Sequence, residues 1–126
     1  MFWRKWVGLP WEWGADPRDG RAACCFRTVQ AAREELGLPW PSEHMTDWYG
    51  RARRGAWMGL RRDWDRFTEE LKKPEGGAVV KFDNLDGSFG LGVLVEPEVL
   101  VTVRHLGQLL VVPRRSIGSL TFYRPK

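Results

Sequence analysis

The apolar residues of this chain change their period part-way along it. Between Ala22 and Leu36 they recur at helical spacing, with Ala22, Cys25, Val29, Ala32 and Leu36 on one face. From Ala78 onward they come in short β-prone runs separated by turn residues. Helices first and consecutive strands afterwards leave few solutions. Strands joined by short turns pair antiparallel, and the helices must cover a sheet face to bury their own stripe. This order predicts an α+β domain, N-terminal helices on a C-terminal antiparallel sheet, rather than a parallel doubly wound fold.

The punctuation agrees. Pro10, Gly14, Pro17 and Gly20 mark residues 1–20 as loop-like. Gly37 stands where a helix ends in a left-handed residue, and Pro39 and Pro41 block continuation. Ser42 offers an N-cap for partly helical structure over 42–56, which Gly50 and Gly55 weaken. Leu60, Trp64, Phe67 and Leu71 form a second apolar stripe, which predicts a helix from about Met58 to Lys72. Strands are expected at Ala78–Phe82, Gly90–Val95, Val99–Val103, Gln108–Val112 and Leu120–Tyr123, with a turn from Asn84 to Gly87.

A length of 126 residues suits a single domain spanning 1–126, and 43% hydrophobic residues supply a core for it. No stretch approaches the roughly 20 apolar residues that span a bilayer. Met1 to Val7 carries charge without an apolar segment after it, so synthesis in the cytoplasm is expected. Eight Trp are more than a domain of this size readily buries. Aromatic residues are enriched at interface cores, so part of that surface fits a partner contact as well as it fits packing.

The net charge of +4 is concentrated in Arg51, Arg53 and Arg54 and in Arg61 and Arg62. Basic clusters attract nucleic acid. Here Asp63, Asp65, Glu69 and Glu70 follow directly, which favours a solvated mixed-sign helix face over a nucleic-acid site. An acidic partner protein accounts for the arginines equally well.

Cys24 and Cys25 are adjacent. Neighbouring cysteines rarely close a disulfide, because the geometry is strained. With only His44 and His105 elsewhere, no metal-ligand spacing exists, and neither a metal nor another cofactor is expected. What remains for the pair is a buried structural thiol or a nucleophile. A thiol at a helix N-terminus lies among unpaired N–H groups at the positive end of the dipole, which favours the attacking thiolate. Cys24 lies about 100° round the helix from Cys25.

Cys24-Cys25-Phe26-Arg27-Thr28-Val29, then Leu36-Gly37-Leu38 and Trp40-Pro41, resemble the central helix of the NlpC/P60 cysteine peptidases. In that family the helix reads Asp-Cys-Ser-Gly-Leu-Val and ends in Leu-Gly-Ile and a short Leu-Pro. Placing Cys25 on the family nucleophile aligns Val29, Leu36, Gly37, Leu38 and Pro41 without a gap. Val7-Gly8-Leu9-Pro10-Trp11 and Gly14-Ala15-Asp16-Pro17 are similar to the loop before that helix in phage-encoded members. Gly77 to Phe82 is similar to the first core strand, and Phe122-Tyr123-Arg124-Pro125 to the ending of phage tail members.

The resemblance implies a papain-like NlpC/P60 fold with Cys25 as nucleophile and a catalytic His opening the second core strand. The matching stretch here is Gly90-Leu91-Gly92-Val93, which sets Gly90 where the family has His and puts the third polar member near Thr102. His105 is the alternative base, and His44 has no family counterpart. A thiol without a positioned imidazole loses the base that activates it and the acid for the leaving amine. The resemblance therefore implies a phage tail structural protein, at the tip, baseplate or hub, carrying a degenerate peptidase domain. Its partners would be other tail proteins, and its location the virion after synthesis in the host cytoplasm. The alternative is an active peptidoglycan endopeptidase using Cys25 and His105, and the weakest reading is a basic nucleic-acid-binding module.

Overall fold

The computed structural model describes residues 1–38, 64, 68–83, 89–95, 97–103, 107–114 and 120–125. The N-terminal segment forms two single 3-10 turns, Arg4–Trp6 and Pro17–Asp19. An α-helix follows, α1 (Cys25–Glu35), and Trp64 further along is also helical. Among the described residues, six strands complete the order: β1 (Thr68–Glu70), β2 (Val79–Asp83), β3 (Phe89–Leu94), β4 (Glu98–Val103), β5 (Gln108–Pro113) and β6 (Thr121–Pro125). They make one antiparallel sheet in the order β1-β6-β2-β3-β4-β5. The molecule is therefore α+β, with helix before sheet.

Side-chain alternation gives the sheet two distinct faces. Val79, Leu91, Val93, Leu100, Leu109 and Tyr123 share one cluster with the buried face of α1. Val80, Leu94, Val99 and Val101 belong to a second cluster with Ala78. α1 packs chiefly on β3 and then on β4. Phe26, Val29, Ala31 and Ala32 are wholly buried along it.

Two devices fix α1 on the sheet. Arg18 reaches both Asp16 and Glu34, tying the second 3-10 turn to the end of α1. Arg33, buried at that end, donates to the Gly77 carbonyl at 2.6 Å where the chain enters β2. Gly77 itself has φ +83°, and a Cβ there would overlap the Leu38 side chain, so only glycine fits without displacing that contact. At the other margin, residues 8–11 run along the start of β5. Gly8 donates to Leu109, Leu109 to Leu9, and Trp11 to Gly107, so this stretch of open strand edge is covered by the chain itself.

Three expectations change. The apolar stripe predicting a helix to Lys72 ends instead in β1, where Thr68–Glu70 pairs with Tyr123–Pro125. Pairing with β6 along this ladder outweighs helical spacing there. Leu36, placed on the buried stripe, is exposed, and Phe26 is buried instead. The first 20 residues hold 3-10 turns and two core tryptophans, Trp3 and Trp6, rather than loop alone. The partly helical stretch over 42–56 and the turn from Asn84 to Gly87 lie outside the described residues.

Candidate functional site

Cys24 is the N-cap of α1, and its sulfur accepts the Arg27 backbone N–H at 3.4 Å. Its own N–H donates to the Ala15 carbonyl, and Ala23 is bridged to Trp11. The segment before the helix is thereby clamped from both sides, and Cys25 is delivered as the first helical residue. Cys24 is fully buried, whereas Cys25 is half-buried and packs against the core between α1 and the sheet.

The Cys25 sulfur faces β3. Backbone N–H groups of Phe26, Leu91 and Cys25 itself point toward it, as an anion-stabilising helix start would require. Burial overrides them. Desolvation, with a smaller contribution from Cys24, pushes the Cys25 thiol up to about 12. At neutral pH the group is a thiol, the opposite of the thiolate that position in the helix alone suggests.

Alternation along β3 decides which residue meets this thiol. Leu91 and Val93 lie on the α1 face. Gly90 does not: a Cβ built on it points to the second face, into the Phe82 ring. A side chain at position 90 would therefore project away from Cys25. Position 91, rather than the Gly90 that the resemblance sets against the family His, is the one on the face that α1 covers. The signal was present in the sequence: Gly90 and Gly92 alternate with Leu91 and Val93, and the apolar pair marks the face a helix covers.

Thr102 is on the α1 face of β4, in step with Leu100. β3 and β4 pair Gly92 with Val101 and Val93 with Leu100. Continuing that register by one residue sets Thr102 beside Leu91. Thr102 is 4% exposed, and its hydroxyl has no hydrogen-bond partner among the described residues. On β2, Lys81 is the pairing partner of Leu91, and its ammonium lies over the rings of Trp64 and Tyr123 at 5.8 and 6.0 Å.

His105 and His44 lie outside the described residues, as do Arg51, Arg53, Arg54, Arg61 and Arg62. Among the described residues no group of three or more His, Cys, Asp or Glu is arranged to hold a metal. Nor is any helix there long and apolar enough to cross a membrane.

The described residues also line two hollows. A polar one of about 180 Å³ is lined by Glu12, Trp13, Asp16, Asp19 and Arg21, just upstream of the cysteines. An apolar groove of about 550 Å³ lies at the far end of α1, between Met1, Phe2, Leu36, Leu38, Gly77 and Val95. Of the tryptophans, Trp3, Trp6 and Trp64 are core, while Trp11 and Trp13 make a half-buried edge-to-face pair.

No protein-family model, curated protein or solved structure matches this chain.

Proposed function

We propose that this chain is a structural component of a phage tail, built on an NlpC/P60-like, papain-like core that no longer performs peptide hydrolysis. The observation that carries the reading is the Cys25 site. A thiol occupies the first turn of a helix laid on an antiparallel sheet, the arrangement a cysteine peptidase needs, yet the strand position facing it is Leu91. The short matches around Cys25, Leu36-Gly37-Leu38 and Phe122 to Pro125 supply the phage-tail part of the proposal.

Surface features fit assembly better than catalysis. The open groove at the far end of α1 is mostly apolar, and Met1 beside it is 75% exposed. Contiguous apolar surface of this kind is what protein contacts cover.

A second reading, the peptidoglycan endopeptidase using Cys25 and His105, draws on one observation. Gly107, which ends the β4–β5 connection, accepts the N–H of Trp11, and Trp11 is bridged to Ala23, two residues before Cys25. One experiment separates the two. Purified wild-type and Cys25→Ala proteins are incubated with peptidoglycan, and new free amino groups are counted. The structural reading predicts no release above background from either protein. Release by wild type that Cys25→Ala abolishes, with folding intact, would establish the peptidase.

A further inference from the structure

We infer that Leu91 is the residue that silences the Cys25 thiol, and that an imidazole delivered to its place is sufficient to make that thiol reactive. This rests on the helix-on-sheet thiol core proposed above but not on any tail partner. A chain that never enters tails would leave it standing, and wild-type peptidase activity would refute the proposed function directly.

Three observations converge on position 91. Leu91 belongs to the cluster against which Cys25 packs, and its backbone N–H lies near the Cys25 sulfur, so the residue stands on the strand beside the thiol. The Leu91 side chain is 3% exposed and belongs to the cluster that α1 buries, so the strand side of the thiol is lined with hydrocarbon and offers no group to accept its proton. The Thr102 hydroxyl, buried, unpartnered and on the same face, stands next to Leu91 in the continued register. A ring at position 91 would thus have the thiol on one side and a hydroxyl for its second nitrogen on the other, the base-plus-orienter arrangement that activates a nucleophile. Gly90 offers none of this, because its side-chain direction leads to Phe82. Among the described residues, the ionisable group acting on the thiol is Cys24, which precedes it on the chain, and Lys81 lies across from Leu91 on β2.

The test is alkylation of Cys25 by iodoacetamide at neutral pH, with the modified residue located by peptide mass. The carbon–sulfur bond forms as the carbon–iodine bond breaks, iodide leaves, and the thiol proton passes to the imidazole. Leu91→His is expected to react about a hundredfold or more faster than wild type, the effect of a positioned base. A second arm avoids dependence on that variant's folding. Leu91→Ala opens a space, and free imidazole added to the buffer should accelerate its alkylation in a saturable way while leaving wild type unaffected. The inference is overturned if folded Leu91→His reacts no faster than Leu91→Ala. It is also overturned if imidazole accelerates wild type and Leu91→Ala alike.

Discussion

Each residue around Cys25 contributes through what it does to a single proton. Because the thiol is pushed up to about 12 from its ordinary 9.0, the folded protein favours the neutral form. The stabilisation linked to that preference is complete below pH 9.0 and is lost as pH rises from there through about 12. Wild type should therefore lose more stability to alkali than Cys25→Ala. Urea unfolding of both proteins below and above pH 9.0 checks this, and parallel losses would contradict it. The unpartnered Thr102 hydroxyl carries a desolvation cost with no bond to offset it. Thr102→Val removes the hydroxyl at nearly constant shape and should stabilise the fold by about 1 kcal/mol in the same assay. Phe26, wholly buried in the first turn of α1, is the opposite case. Phe26→Ala should cost about 3–5 kcal/mol, because the cavity opens between a fixed helix and a fixed sheet.

At the scale of elements, α1 is held at its two ends by different means. The sulfur cap of Cys24 and the Ala15 bond fix its start, and Arg33 on the Gly77 carbonyl fixes its finish. Gly77→Ala would force a side chain into φ +83° and against Leu38. The backbone penalty alone is about 1–2 kcal/mol, and a lowered urea midpoint with an unchanged slope is the expected result. The helix was legible in the sequence because its stripe, its Gly37 stop and the following prolines agree. Strands β2 to β5 were legible within one or two residues for the same reason, since alternating apolar runs and turn residues coincide. β1 was not. Trp64, Phe67 and Leu71 keep helical spacing, and pairing with a strand that lies more than fifty residues away leaves no local trace in Thr68–Glu70. The same blindness to face applies at Gly90: a linear match to a motif fixes a residue's order along a strand, whereas the side to which it points is set by the pleat.

At the scale of the whole molecule, one sheet face and α1 enclose the Cys25 thiol with Leu91 and Thr102. On the proposed reading, the chain acts through its surface. The exposed Met1 and the open groove beyond Leu36 are the external features such a role would use. Because Cys25 has no task in that account, its removal should leave assembly intact. The most direct measurement is the amount of tagged Cys25→Ala chain that co-purifies with phage tails assembled in its presence, compared with tagged wild type. Equal incorporation of the two is predicted. Failure of the wild-type chain to enter tails, or its entry only when Cys25 is present in a folded protein, would contradict the account.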